Sequence, residues 1–215
     1  MIMLKRFNRY FKAAVFAAGA LLLSTAVHSA QLPEPTADFT ADMHVDNGMG
    51  ETVLKVQRSG DKQRVEMAGA AQENADAPVM ILRKDKKVVW RIIKSAKAYT
   101  EIPFDDQKES DEKKIDFKLE KEKVETVNGV EATKFKVSAN RPQGGTMEGH
   151  IWFTKENIMI KMDSIEKSEG KPDINIKLEL KNLKVKKINA SVFDLPNGYN
   201  KMTVGTSGNG AAQQP

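Results

Sequence analysis

The chain contains no cysteine among its 215 residues. Disulfides, thiolate metal sites and a cysteine nucleophile are therefore excluded. Histidine is nearly absent too, at three residues, and tryptophan occurs only twice. The longest apolar run, Ala13 to Leu23, has 11 residues, too short for a bilayer that needs about 20. A surplus of cations is also missing once the N-terminus is set apart. The whole chain carries 34 Lys+Arg against 29 Asp+Glu, but Lys5, Arg6, Arg9 and Lys12 stand in the first 30 residues with no acid beside them. The remainder holds 30 basic against 29 acidic groups. Such a balance argues against a dedicated nucleic-acid binder, which needs excess positive charge to displace counterions.

The cationic stretch Met1 to Lys12, the apolar run and the small residues after it have the grammar of a secretory signal peptide. Cleavage is expected after Ala30, with Ala26 as the alternative. No cysteine follows, so no lipid anchor is expected, and the destination is the periplasm or the exterior. The expected organisation is a signal peptide over 1–30, an extended lead-in over 31–37, one domain over 38–204 and a disordered tail over 205–215. The tail consists mostly of Gly, Ser, Asn, Ala and Gln, a composition that cannot bury a core.

Within the domain the dominant pattern has period two. Phe39, Ala41, Met43 and Val45 alternate with polar residues, and Ile174, Ile176, Leu178 and Leu180 alternate with Asn175, Lys177, Glu179 and Lys181. Asn128-Gly129 between two alternating runs marks a hairpin, because a type I′ turn needs positive φ. About eleven strands at short spacing predict a mainly β domain, a single large curved antiparallel sheet or incomplete barrel with little helix. Two strands are apolar on both faces. Val79 and Ile81 oppose Met80 and Leu82, while Val88, Trp90 and Ile92 oppose Val89 and Ile93. Trp152 also has apolar neighbours on the opposite face. A sheet with one face in water does not carry this pattern. Either the sheet curls on itself, or its concavity holds an apolar ligand, or a partner docks there. The candidate cavity residues are Met80, Leu82, Val89, Trp90, Ile93 and Trp152, with both faces represented because the concave one cannot be read from sequence.

Four stretches carry a resemblance. They are Arg83 to Trp90 with Tyr99 to Pro103, the hairpin Glu125 to Phe135, Gly149-His150-Ile151-Trp152, and Phe193 to Met202. Together they resemble a secreted bacterial family known only as a domain of unknown function, itself similar to the outer-membrane lipoprotein carriers. The resemblance implies a half-barrel with an apolar concavity that holds acyl chains. A sister group of the same fold acts as sensors or accessory factors of the cell envelope. The carriers place an N-terminal helix under the barrel mouth, and Gln31 to Ala37 is too short and proline-rich to supply one.

Candidate chemistry is sparse. Asp38, Asp42, His44 and Asp46 share a strand face with Thr40, but same-face neighbours lie about 6.8 Å apart, whereas metal ligands converge to ~2.0–2.6 Å. A solvated face is the better reading. His150 lacks a Gly-x-Ser-x-Gly elbow or a His-Glu-x-x-His context. The acidic stretch from Asp105 to Asp116 has intruding lysines and no turn glycine for a calcium loop. Methionines such as Met43, Met67, Met80, Met159 and Met162 read as core filling. Lys177, Lys181, Lys184, Lys186 and Lys187 read either as a membrane-facing basic stretch or as a protected edge. No catalytic residue, metal or cofactor is expected, and the protein is read as a non-enzyme. The expected partners are a lipid or lipoprotein acyl chain, with an envelope protein as the alternative.

Overall fold

The computed structural model describes residues 32–68, 77–104, 116–140 and 145–202. Twelve strands form one sheet: β1 (Phe39–Asp46), β2 (Glu51–Ser59), β3 (Lys62–Met67), β4 (Val79–Arg83), β5 (Val88–Ile93), β6 (Ala98–Pro103), β7 (Asp116–Val127), β8 (Val130–Asn140), β9 (Thr146–Phe153), β10 (Met159–Lys167), β11 (Ile174–Val185) and β12 (Asn200–Lys201). Their order across the sheet is β12-β6-β5-β4-β3-β2-β1-β11-β10-β9-β8-β7. Every pair is antiparallel except β12 with β6. The sheet is not closed into a barrel. The predicted alternation in β1 puts Phe39, Ala41 and Met43 in the core and leaves Thr40, Asp42 and His44 half-exposed. The predicted hairpin forms between β7 and β8, with Asn128 at φ 49° and Gly129 at φ 78°, as a type I′ turn requires.

The sheet is strongly curled. Gln63 of β3 and Met159 of β10 are four strands apart, about 19 Å on a flat sheet at ~4.8 Å per strand. Both nonetheless line one cavity of about 30 Å³, together with Phe39, Val56, Arg58, Leu178 and Leu180. The side chain of Asn128, in the β7–β8 turn, likewise donates to the Leu180 carbonyl at 2.9 Å across the curl. The face turned inward carries Phe39, Met43, Leu54, Val56, Val65, Ile151 and Leu178, which belong to the larger buried cluster.

The apolar second face of β4 and β5 is covered by the segment that follows β11. There Val79, Ile81, Trp90 and Ile92 bury against Phe193, itself fully buried, with Ile188, Val192, Leu195 and Tyr199 around it. Arg83 fixes this cover. Its Nη1 donates to the Phe193 carbonyl at 3.1 Å and to Asp194 Oδ1 at 2.7 Å, while Nε and Nη2 grip Asp85 at 2.8 and 2.7 Å. The sequence patterning exposed the need for a cover but not its source. The segment contains only a one-turn 3-10 helix, Ala190–Phe193, and the two-residue β12, neither of which has a periodicity to read.

Ser164 of β10 is 1% exposed, and its Oγ has no hydrogen-bond partner among the described residues. A buried hydroxyl without a partner forfeits its hydration for nothing. Ser164→Ala is therefore expected to leave stability unchanged or raise it by about 1 kcal/mol, read from the urea midpoint. A clear loss would mean that the hydroxyl has a partner.

Candidate functional site: the inner face and its strap

Strand parity sorts the six cavity candidates into two groups. Paired residues share a face, so the register Gln63–Leu82–Val89–Ile102 runs as one row across β3, β4, β5 and β6 on the inner face. Met80 and Ile93 stand on the same face, two residues along their strands from Leu82 and from Arg91 respectively. Met80, Leu82, Val89 and Ile93 are only half-buried, and Ile102 is 47% exposed. Ala98 and Thr100 are buried on the same face, opposite Ile93 and Arg91 respectively, and Arg91 in turn pairs with Met80.

Trp90 stands on the outer face, because residues 89 and 90 cannot both point inward in a regular strand, and Trp152 shares that face through the row Trp152–Lys161–Glu179–His44, whose last member is on the half-exposed side of β1. Each indole is held in the same way. Trp90 Nε1 donates to Glu101 at 3.0 Å, with Arg83 and Lys86 at 5.7 and 5.2 Å from the ring. Trp152 Nε1 donates to Glu125 at 2.5 Å, with Lys134 and Lys161 at 5.5 and 5.0 Å. Both glutamates are held below the usual carboxylate range, first by a lysine hydrogen bond (Lys201 and Lys123 respectively) and then by the indole N–H. These are anchors for the outer surface, stabilised by the ring quadrupole and by lysine stems laid over apolar atoms.

The row continues beyond Gln63. Arg58 of β2 pairs with Gln63, and Phe39 pairs with Arg58. Arg58 and Gln63 are each 5% exposed. Over this polar pair lies the lead-in. Leu32 packs on the core cluster and Pro35 lines the small cavity. Glu34 Oε2 accepts from Arg58 Nη2 at 2.5 Å. Thr36 ties the strap to the β9–β10 turn, its N–H and Oγ1 donating to the Glu156 carbonyl at 2.9 and 3.3 Å. Burial, the largest influence on each, holds the Glu34 carboxyl above its usual range and lowers Arg58, against their mutual attraction. The sequence reading passed over Arg58 and Gln63. A signal existed: both fall on the apolar phase of their strands, after Leu54 and Val56 and before Val65 and Met67, where a polar residue must be buried.

The remaining candidates have structural partners. Asp38 Oδ2 accepts from the Ile188 N–H, Asp42 from Asn182, and Asp46 from the Gly48 N–H, at 3.2, 2.7 and 2.8 Å. His44 Nδ1 lies 2.6 Å from Glu51, and His150 Nε2 lies 3.4 Å from Glu122. No group of three or more His, Asp or Glu among the described residues is placed to hold a metal ion. Lys177, Lys181 and Lys184 face Asp46, Asp42 and Thr40 across the β1–β11 pair. The leader, residues 105–115 of the acidic stretch and the tail lie outside the described residues.

Residues 40–169 match the family described as a domain of unknown function, DUF4412. The chain belongs to that family. The DUF4412 match takes in β1 to β10, including Arg58, Gln63 and the apolar row, and ends before β11 and the Phe193 cover. No curated protein matches the chain. Solved structures to which it is similar include the MucA/MucB complex of Pseudomonas aeruginosa, at 8% identity over 74% of this chain and 55% of that one, TM-score 0.46. A LolA superfamily protein of Nitrosomonas europaea aligns at 8% identity over 78% and 94%, TM-score 0.38. An outer membrane lipoprotein-sorting protein domain of Vibrio parahaemolyticus, described as putative, aligns at 10% over 74% and 89%, TM-score 0.38. The alignment spans about half the length of the MucB chains. Among the described residues no helix is long and apolar enough to cross a membrane.

Proposed function

We propose that this DUF4412 protein is a non-catalytic binding protein, exported to the periplasm, that shelters the apolar part of a lipid or lipoprotein on the inner face of β4–β6. The observation that carries this reading is the contrast between the two faces of the same strands. On the outer face Val79, Ile81, Trp90 and Ile92 are sealed under Phe193. On the inner face Met80, Leu82, Val89 and Ile93 stay half-buried and Ile102 is 47% exposed. Burying about 200 Å² of such surface is worth ~5 kcal/mol before the costs of association, enough for a reversible carrier without a charged contact. The apolar run at the N-terminus supports export.

A second reading, an envelope protein-interaction module with a closed core, is favoured by the size of the described cavity. At about 30 Å³ it has room for one or two waters and none for an acyl chain. On this reading the apolar row meets a partner protein instead.

The test is native mass spectrometry of the protein purified from periplasm without detergent, followed by solvent extraction. A discrete added mass that extracts as lipid is expected, and Leu82→Asp is expected to lose it while melting within a few degrees of the parent, because the site is half-exposed. An apo mass, with no uptake of added fatty acid or lipopeptide, rejects the carrier in favour of the interaction module.

A further inference from the structure

The strap over Arg58 is itself an occupant, and its composition describes what the site accepts. One anion, Glu34, sits on a deeply buried guanidinium, and apolar Leu32 and Pro35 fill the space beside it. The Arg58 side chain is 6% exposed, whereas that of Glu34 is 40% exposed. The cation is therefore locked in the sheet while its partner arrives from a terminal segment with a route to solvent. From Arg58 the cross-strand row changes character in one direction, through Gln63 to Leu82, Val89 and Ile102. Five strands at ~4.8 Å spacing make this track about 19 Å long, polar at one end and aliphatic along the rest.

We propose that Arg58 is the head-group site of an amphiphile channel, in which a single-chain carboxylate displaces Glu34, pairs with Arg58 beside Gln63, and lays its aliphatic chain along Leu82, Val89 and Ile102. This rests on the apolar-ligand reading above and names its ligand class, the long-chain carboxylates. A carboxylate replaces a carboxylate, so the guanidinium keeps a charge-assisted, bidentate-capable partner throughout. Removing Glu34 without a substitute would strand a buried charge, so the exchange favours anions over neutral or cationic amphiphiles. The Glu34–Arg58 pair is open to exchange from the solvent side, since the Glu34 side chain is 40% exposed and burial works against the ionised form of each partner. Leaving the site also frees the volume held by Leu32 and Pro35, which enlarges a cavity now fit only for water.

The experiment is isothermal titration of the full exported protein with dodecanoate, dodecyltrimethylammonium and dodecanol, three probes with one chain length and different heads. Dodecanoate is expected to bind at least about tenfold more tightly than the other two, the size of one charge-assisted contact. Arg58→Met is expected to abolish that preference, with dodecanoate falling to the affinity of dodecanol. Glu34→Gln, which removes the internal competitor, is expected to tighten dodecanoate about tenfold and leave dodecanol within about twofold. Should Arg58→Met fail to fold by circular dichroism, the head-group series and Glu34→Gln decide the question alone. Equal binding of all three probes, or a Glu34→Gln variant with unchanged dodecanoate affinity, overturns the head-group site while leaving the apolar-face reading intact. No binding of any probe to the parent or to Glu34→Gln overturns both.

Discussion

Phe193→Ala is expected to lower stability by about 3–5 kcal/mol, the range for emptying a fully buried phenylalanine site. Phe193 is 0% exposed and is the central residue of the cover that residues 188–199 lay over β4 and β5. The cover has little regular structure to fall back on, with one 3-10 turn and two residues of β12 paired to Ala98 and Tyr99. Its other attachment, Arg83, reaches the Phe193 carbonyl and Asp194, and both contacts depend on the segment lying flat. Losing the ring is therefore expected to release the segment and expose Val79, Ile81, Trp90 and Ile92 to water. The loss is read from the urea midpoint. The release is read from Trp90 emission in a Trp152→Phe background, where a shift to longer wavelength is expected. Unchanged emission together with a midpoint near the parent's would show that some other element covers this face.

Gly149→Ala is expected to cost about 3 kcal/mol or more, beyond ordinary overpacking at ~1–3 kcal/mol, because the obstruction is backbone. A Cβ built on Gly149 would meet the Asp163 carbonyl oxygen at 2.1 Å and the Ser164 Cα at 2.6 Å. Gly149 pairs with Ser164 on one side and Val137 on the other, so β9 cannot move away from β10 without straining its ladder to β8. The separation would pull apart the adjoining Ile151–Met162 pair in the main core. Alanine's lower chain entropy in the unfolded state returns only ~0.4–1 kcal/mol. Thermal melting checks the magnitude. Combining the change with Ser164→Gly is expected to rescue little, since the nearest atom belongs to the main chain. A Gly149→Ala protein that melts with the parent would mean that the two strands separate freely at this point.

These two residues also show where the reading from sequence stopped. Gly149 stood in a short motif, Gly149-His150-Ile151-Trp152, that marked a family resemblance but offered no reason for a glycine. The reason is how closely the β10 backbone approaches, a property of two strands and not of one. Phe193 stood in another such motif, and nothing in its spacing said which surface it would meet, since its partners are 101 to 114 residues earlier in the chain. The six cavity candidates divide in the same way. The sequence recognised Met80, Leu82, Val89, Trp90, Ile93 and Trp152 as apolar residues in excess of one buried face, but could not orient the sheet.

What the sequence determined by itself is therefore local. Period-two alternation placed strands such as β1 and β11, because side chains on a strand must point to opposite faces whatever the partner, and the short spacing between turn residues placed those, like β4 and β5, that are apolar on both faces. Asn128-Gly129 specified its hairpin because few residues tolerate positive φ. The missing cysteines removed whole classes of chemistry before any geometry was known. Tertiary structure alone decided which face turned inward, how far the sheet curled, that Phe193 covered the outer face, and that Arg58 met Glu34. Those outcomes depend on contacts between residues far apart in the chain, and a long-range contact leaves no period in a sequence. Only when the curl brought β2, the strap and the β9–β10 turn together did a buried arginine acquire an anion, and the apolar row beyond it a direction.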